Sequence, residues 1–130
     1  MPANATSNDY RTVTPYLIVP NVGRLIEFLV RAFGATERMR VPRPDGSIMH
    51  AEVTIGDSIV MMGEPTAEFG PMPTTIFLRV ADCDAAYRRA LDAGGTAVLK
   101  PTDQPHAGER YGGVKDPSGN IWWPATPLPR

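Results

Sequence analysis

The chain repeats one order of structural elements twice, at a period of about 60 residues. Residues 16–36 and 77–96 each contain an apolar strand-like stretch, a polar break, an amphipathic run and a glycine. The amphipathic runs have helical spacing, Asp82 suits the start of the second helix, and the glycines Gly34 and Gly94 suit the helix ends. Strand-like segments separated by turn residues follow each helix. The repeat is too long and too few-fold for a solenoid, and it predicts an α+β domain of two tandem βαβββ modules.

The repeat also sets the expected boundaries within the chain. We expect a disordered leader over residues 1–10, a first module over 11–68, a linker over 69–73 and a second module over 74–130. The linker falls in a stretch rich in Pro and Gly. The leader is polar and lacks the basic start and apolar core of a signal peptide.

The composition excludes several classes of partner. The net charge of −1, with no long basic run among the 130 residues, argues against a dedicated binder of nucleic acid or anionic membranes. No stretch approaches the length of a membrane helix. The single cysteine, Cys83, excludes an internal disulfide and is expected to be a buried small hydrophobe rather than a nucleophile. We therefore predict a cytoplasmic protein that contacts neither nucleic acid nor membrane.

Two tryptophans stand side by side near the end of the chain, and they are the only two in the protein. Neighbours on a strand point to opposite faces of a sheet. Trp122 and Trp123 therefore lie in different environments, one in the core and the other on the opposite face.

Several segments of the chain resemble the vicinal oxygen chelate superfamily, which includes glyoxalase I, extradiol dioxygenases, fosfomycin-resistance transferases and bleomycin-binding proteins. Among its branches, the segments most resemble those of the PhnB-like, glyoxalase/bleomycin-resistance branch. The resemblance covers Arg11 to Thr126 and implies a curved, cup-shaped mixed sheet, within a homodimer. The segments that carry it are TVTPYLIV, EFLVRAFGA, PDGSIMHAEVTIGDS, GERYG and VKDPSGNIWW.

Metal-dependent members of that superfamily have four ligand positions, which the resemblance places at Thr14, Glu52, Thr75 and Trp123. Threonine is a poor ligand, and the indole of a tryptophan offers only an N–H donor. Only Glu52 remains, whereas a catalytic metal typically has about three protein ligands. The resemblance to the fold is therefore stronger than any resemblance to the metal site.

Other donors leave the metal question open at this stage. His50 lies two residues before Glu52, so both side chains face the same side of a strand and form half a site. A loop with His106, with Glu109 nearby, is a second source of donors. The alternative roles are a hydrogen-bonded pocket or interface residue for His50 and an ion pair for Glu52, with Arg110 as its partner. We predict no cofactor and no metal, with a divalent cation as the less favoured alternative.

Strand alternation from the matched positions predicts a concave wall of aromatic and polar side chains, as small-molecule sites have. Trp123 lies on this wall, and Trp122 packs under the helices. Glu52 and His50 are the candidates for catalysis. The candidate ligand-binding residues are Thr14, Tyr16, His50, Glu52, Thr75, Phe77, Arg79, Arg110, Tyr111 and Trp123.

Three functions remain open from the sequence. The favoured one is a metal-free protein that binds or sequesters a small aromatic or amphipathic molecule in a cup at the dimer interface, as bleomycin-resistance relatives do. The second is a glyoxalase-like lyase or isomerase, or a dioxygenase, that uses Glu52 and His50 with or without a divalent metal. The third is a cup that Trp123 plugs, in a protein that works through its dimer or a protein partner.

Overall fold

A computed structural model describes residues 9–129 of the chain. Most of the predicted leader, residues 1–8, lies outside the described residues. The elements in chain order are β1 (Tyr16–Ile18), α1 (Val22–Phe33), β2 (Thr36–Pro42), β3 (Ile48–Ile55), β4 (Ser58–Gly63), β5 (Thr75–Arg79), α2 (Cys83–Asp92), β6 (Thr96–Gln104), a 3₁₀ turn (Pro105–Ala107), β7 (Glu109–Lys115) and β8 (Ile121–Pro127).

The order of these elements confirms the α+β class and the two βαβββ modules. The strands form two four-stranded mixed sheets, in the orders β1-β4-β3-β2 and β5-β8-β7-β6. In each sheet the first strand pairs in parallel with the last strand of its module, and the remaining pairs are antiparallel. The module boundaries predicted from the sequence stay predictions, although β4 ends at Gly63 and β5 begins at Thr75.

The helices begin and end as their sequence signals predict. Helix α1 ends at Gly34, whose positive φ of 70° is a conformation that glycine adopts without strain. Helix α2 begins after Asp82, whose carboxylate accepts a hydrogen bond from the backbone N–H of Ala85 at 3.2 Å. Between residues 9 and 129, no helix is long and apolar enough to cross a membrane.

One hydrophobic core joins the two modules. The helices α1 and α2 contact each other, and α1 also packs against β3. Trp122 is fully buried in this core, with its ring centroid 5.6 Å from that of Phe33 on α1. The predicted core role of Trp122 is therefore confirmed. Its indole N–H donates to the carboxylate of Asp116 at 2.7 Å, which satisfies the one polar group of the side chain.

Two local differences from the sequence expectations follow from backbone chemistry. Strand β1 begins only at Tyr16, so Thr14 precedes the strand rather than lying in it. Pro15, between them, has no N–H for a strand ladder, although its carbonyl accepts from Met61. The sequence of residues 103–108 predicts a loose segment, but strand β6 extends into it as far as Gln104, because Gln104 pairs with Glu109 on β7.

Candidate functional site

A buried carboxylate organises the exposed face of the first sheet. The Glu52 cluster comprises Tyr10, Tyr16, Arg38, His50 and Glu52. The Glu52 side chain is 3% exposed. One of its oxygens accepts a hydrogen bond from the Tyr10 hydroxyl at 2.7 Å and lies 3.4 Å from Nε of Arg38. The other oxygen lies 2.8 Å from Nε2 of His50. The carboxylate is thus surrounded by donors from three different segments of the chain.

The pKa of Glu52 is set by two opposing effects. Burial works to raise the pKa of this carboxyl, since it removes the charged form from water. Hydrogen bonds from His50 and Tyr10, with the nearby charges of His50 and Arg38, more than offset burial and bring the pKa below its ordinary value. The hydrogen bond to Glu52 also raises the pKa of the Tyr10 hydroxyl. Glu52 is therefore an ionised group whose charge is balanced inside the cluster.

The hydrogen bonds also define the tautomer of the His50 ring in its neutral form. A carboxylate can only accept, so this form carries its proton on Nε2, facing Glu52. The other nitrogen, Nδ1, then accepts from the Tyr16 hydroxyl at 3.2 Å. Tyr16 is 49% exposed. A continuous hydrogen-bond chain therefore runs from buried Glu52 through His50 to an exposed phenol.

Two members of the Glu52 cluster were missed by the sequence reasoning. Arg38 lies on β2, the strand paired with β3, and takes the place that Arg110 was expected to fill as the ion-pair partner of Glu52. Tyr10 was assigned to the disordered leader, but its ring lies 5.5 Å from the Arg38 guanidinium carbon and its hydroxyl reaches Glu52. The position of Arg38 on the strand next to β3 was a signal in the sequence for its pairing with Glu52. Tyr10 lies in a coil segment, where no periodic pattern indicates which way a side chain points.

The exposed face of the second sheet carries aromatic rings. The aromatic platform comprises Thr75, Phe77, Tyr111, Gly113 and Trp123. The Trp123 indole N–H donates to the Thr75 hydroxyl oxygen. The Tyr111 ring meets both Trp123 and Phe77 edge to face, at centroid distances of 5.9 and 6.1 Å. Phe77 is 53% exposed.

The contacts of the Trp123 indole show that the ring lies along the sheet and does not project from it. Its nitrogen is bound to Thr75 on β5, on one side of β8. Its six-membered ring lies against Gly113 on β7, on the other side: a Cβ atom at Gly113 would be only 2.5 Å from Cζ3 of Trp123. The indole therefore lies across three strands along the sheet surface. In this position it forms a floor, and it does not fill the space above the sheet.

The remaining predicted residues lie apart from these two groups. Arg110 faces helix α2, where it binds Asp84 at 2.8 and 3.0 Å, so its predicted pairing with Glu52 is wrong. Arg110 and Tyr111 are neighbours on β7 and must face opposite ways. Arg79 is ion-paired with Glu109 at 3.1 Å. Thr14 lines a cavity that residues of both sheets border.

The structure thus divides the predicted site into two halves. Within residues 9–129, no hydrogen bond, ion pair or ring contact joins the Glu52 cluster to the aromatic platform. A cavity of about 420 Å³ lies over the Glu52 cluster. A second cavity, of about 650 Å³, contains neither Glu52 nor Trp123 in its lining. The ligand-binding roles assigned from the sequence stay predictions.

The residues present do not fit the divalent metal of metal-dependent relatives. In the described part of the chain, no group of three or more His, Cys, Asp or Glu side chains is close enough to hold an ion. His106 is exposed on the 3₁₀ turn, and Glu109 is ion-paired with Arg79. The Glu52 carboxylate is already neutralised by the Arg38 guanidinium, which repels a second cation. Thr75 and Trp123 are bound to each other.

The tandem modules and their two sheets define the fold class of glyoxalases and bleomycin resistance proteins. The family model for the Glyoxalase/Bleomycin resistance protein/Dioxygenase superfamily matches residues 11–123, and the chain belongs to this superfamily. The resemblance to the superfamily seen in the sequence is therefore confirmed.

Individual relatives agree with this assignment. An uncharacterized protein of Mycobacterium bovis is 39% identical over 127 residues, covering 89% of this chain and 83% of the relative. The crystal structure of TioX from Micromonospora sp. ML1 has a TM-score of 0.71 and 26% identity, covering 92% of this chain and 98% of that one. TnmS3, an antibiotic binding protein from Streptomyces sp. CB03234, shares the fold with a TM-score of 0.70, 19% identity and coverage of 91% and 99%.

Proposed function

We propose that this protein binds and sequesters a small aromatic or amphipathic molecule without a metal, as a member of the PhnB-like branch of its superfamily. The observation that carries the proposal is the position of Trp123. Its indole is fixed at both ends, by Thr75 and Gly113, and lies along the sheet with Tyr111 beside it. Such a surface favours stacking of a planar ligand, worth about 0.5–1.5 kcal/mol per aromatic pair beyond the buried area.

The Glu52 cluster supports a binding role rather than metal chemistry. Its carboxylate is neutralised by Arg38, and its exposed member is Tyr16, while the His50 ring is half-buried. The Tyr16 hydroxyl oxygen still accepts a hydrogen bond from a ligand, as the few polar groups of a small-molecule site do. TnmS3, which has the same fold, is described as an antibiotic binding protein, and its description is consistent with this class of ligand.

We propose further that the cup is completed in a homodimer. Large apolar or aromatic side chains are half exposed on the strands of both half-sites: Tyr16 is 49%, Met49 48% and Phe77 53% exposed. Covering these side chains with a second copy would bury apolar area, which favours association. Size-exclusion chromatography with light scattering checks this step, and a monomer at the concentrations that saturate ligand binding would refute it.

The binding proposal is tested by tryptophan fluorescence against a panel of planar aromatic compounds, including antibiotics with fused aromatic rings. We expect saturable binding to the wild type. Replacing Trp123 with Leu should weaken binding about tenfold or more, since it removes the stacking surface, whereas Trp123→Phe should retain most of it. Calorimetry on the same variants gives a readout that does not depend on Trp123 emission. Equal affinity of the wild type and Trp123→Leu would overturn the proposal.

A second candidate function rests on the chain from Glu52 through His50 to Tyr16. In this path the Tyr16 hydroxyl gives its proton to Nδ1 of His50 as it takes one from a ligand. The Glu52 carboxylate stabilises the imidazolium that forms. A ligand with an acidic C–H bond would then exchange that hydrogen. NMR in D₂O checks this: exchange with the wild type that is lost in His50→Gln, while binding is retained, would establish an enzyme.

The proposed location is the cytoplasm. Cys83 is free and buried among the described residues, and no disulfide is possible in a chain with one cysteine. A free thiol is compatible with a reducing compartment. Cell fractionation with a tagged full-length chain tests the proposed location.

A further inference from the structure

A further cavity lies between the two modules, and Phe77 of the aromatic platform is on its border. We name it the wedge cavity. It is bounded by the first module's leading residues 11–15, by the turn between β3 and β4, and by β5 with residues 80 and 81 that follow it. Phe33, Arg89 and Trp122 contribute to its inner wall. Its volume of about 650 Å³ is within the range of small-molecule sites.

The wedge cavity leaves apolar surface uncovered where the repeat would bury it. In the two modules, Leu17 and Val19 correspond to Leu78 and Val80. The first pair is 1% and 0% exposed, whereas the second pair is only half-buried and lines the cavity. Val13, at the cavity mouth, is 81% exposed. The exposed fractions of equivalent side chains in the two modules therefore differ, because the wedge cavity opens beside the second module.

Two outer strands of the sheets lie near the wedge cavity. Strand β5 is the outer strand of its sheet and pairs only with β8 among the described strands. Strand β1 is the outer strand of the other sheet, and an isolated antiparallel bridge joins Ile18 on β1 to Met72, which precedes β5.

The polar lining of the wedge cavity is mostly cationic. Three arginines, Arg11, Arg79 and Arg89, line it with one acidic residue, Asp57. The Arg11–Asp57 pair is 3.7 Å apart and its side chains are 62% and 83% exposed, so it contributes little and exchanges readily for another anion. Arg89 uses its Nε to bind the carbonyl oxygen of Ala32, which leaves further guanidinium N–H donors.

We propose that the wedge cavity binds an amphipathic carboxylate, with its apolar chain against the half-buried Ile76, Leu78 and Val80 and its carboxylate on the arginines Arg11 and Arg89. Guanidinium and carboxylate groups form strong charge-assisted hydrogen bonds, and the apolar wall gains by leaving water. The site is distinct from the proposed cup: Phe77 borders both, but neither Glu52 nor Trp123 lines the wedge cavity.

The two tryptophans allow a direct test. In Trp123→Phe, Trp122 is the only tryptophan, and it reports on the inner wall of the wedge cavity. Sodium dodecanoate, titrated below its micelle concentration, should change the Trp122 emission saturably, with one molecule per chain by native mass spectrometry. Dodecyltrimethylammonium, with the same chain and the opposite charge, should bind at least about tenfold more weakly.

Variants in the same Trp123→Phe background locate the site. Arg11→Gln and Arg89→Gln should each weaken dodecanoate binding several-fold, while the matched control Arg24→Gln, on an α1 position outside the cavity, should not. Ala81→Phe places a ring in the cavity mouth and should weaken both probes. Circular dichroism confirms that each variant is folded.

Equal affinity for the two probes would overturn the proposal, because it would show apolar adsorption without a carboxylate site. Dodecanoate binding that Ala81→Phe leaves unchanged would also overturn it. Aromatic ligands that bind the wild type but not Trp123→Leu, with no effect of Arg11→Gln, would support the cup alone. The two proposals therefore fail independently.

Discussion

The indole N–H of Trp123 donates its hydrogen bond to the hydroxyl of Thr75, on the neighbouring parallel strand. The resemblance to metal-dependent relatives places two ligands at these positions. Here the two side chains satisfy each other and fix a flat aromatic surface. The replacement of donors by this pair changes what the face of the sheet favours, from coordination of a cation to stacking of a ring.

Gly113 holds the indole flat, and Gly113→Ala is expected to displace it. A Cβ atom there would lie 2.5 Å from Cζ3 and 2.8 Å from Cε3 of Trp123, so the ring must tilt. We expect a shift in Trp123 emission and about a tenfold loss of affinity for planar ligands, with the fold retained. Fluorescence and calorimetry on the folded variant measure both effects.

Gly70→Ala is the matched control for this substitution. A Cβ atom at Gly70 would meet nothing within 4 Å, and the φ of this residue is not in the left-handed region. The control should leave both emission and affinity unchanged. An unchanged affinity in Gly113→Ala, with the emission shifted, would show that the platform does not contact the ligand.

Glu52→Ala is expected to destabilise the protein by about 1–3 kcal/mol, since it removes the acceptor of hydrogen bonds from the Tyr10 hydroxyl and from Nε2 of His50 and leaves Asp9 as a carboxylate partner of Arg38. The Arg38 side chain is 9% exposed and the Glu52 side chain 3%. Glu37→Ala is the control: the Glu37–Arg40 pair is 37–38% exposed, and its loss should cost less than about 1 kcal/mol. Urea unfolding followed by circular dichroism gives both values. A loss no larger than that of the control would show that Asp9 and water replace the contacts of Glu52.

The predictable and unpredictable parts of this molecule differ in their physical origin. The period of the apolar residues predicted helix α1 at Val22–Phe33, and strand alternation separated Trp122 from Trp123. The same alternation excludes Arg110 from the face that Tyr111 occupies, but the sequence reasoning grouped the two as one motif. Alternation is a local rule, and it is reliable only when applied to each residue in turn.

The Glu52 cluster shows what local rules cannot supply. The pairing of β2 with β3 has a register shift between Glu37 and Met39, so the strand opposite Glu52 does not follow simple counting. Tyr10 reaches Glu52 from a coil segment, in which no periodic pattern exists. Both contacts depend on tertiary geometry, and each concerns a residue more than ten positions away in sequence.

Acid should remove the contribution of Asp84 to stability. Hydrogen bonds from Arg110 lower the pKa of this carboxyl to about 2 in the folded protein, compared with about 3.9 for an unfolded aspartate. Because the folded pKa is the lower one, the contribution is complete above pH of about 5 and is lost as the pH falls toward about 2. The pair is 37–40% exposed, so solvent screening keeps the effect below about 1 kcal/mol.

Urea unfolding of wild type and Asp84→Asn between pH 2 and pH 6 measures this effect. We expect the wild type's advantage to be largest at pH 6 and to vanish near pH 2. In an Arg110→Gln background, the difference in unfolding free energy between Asp84 and Asp84→Asn should lose most of its dependence on pH. A difference that is constant with pH would show that the folded pKa of Asp84 is not lowered.

Asp116 is the acceptor on which the last turn of the protein depends, and Asp116→Ala is the substitution expected to cost most among single aspartates. Its buried carboxylate accepts from the backbone N–H groups of Ser118 and Asn120, the Asn120 side chain and the Trp122 indole, at 2.7–3.0 Å. Asn120 and Trp122 are fully buried, so both would retain donors without an acceptor. Orphaned buried donors cost about 1–3 kcal/mol each, which predicts a loss of roughly 3 kcal/mol or more.

Asp116→Asn should fall between the wild type and Asp116→Ala, since the amide retains one acceptor oxygen. Asp57→Ala is the exposed control, and we expect it to change stability by less than about 0.5 kcal/mol. Urea unfolding followed by tryptophan emission reports on the turn directly, because the Trp122 indole is one of the donors to Asp116. If Asp116→Ala unfolds at the same urea concentration as Asp57→Ala, water must replace the carboxylate, and the turn does not depend on it.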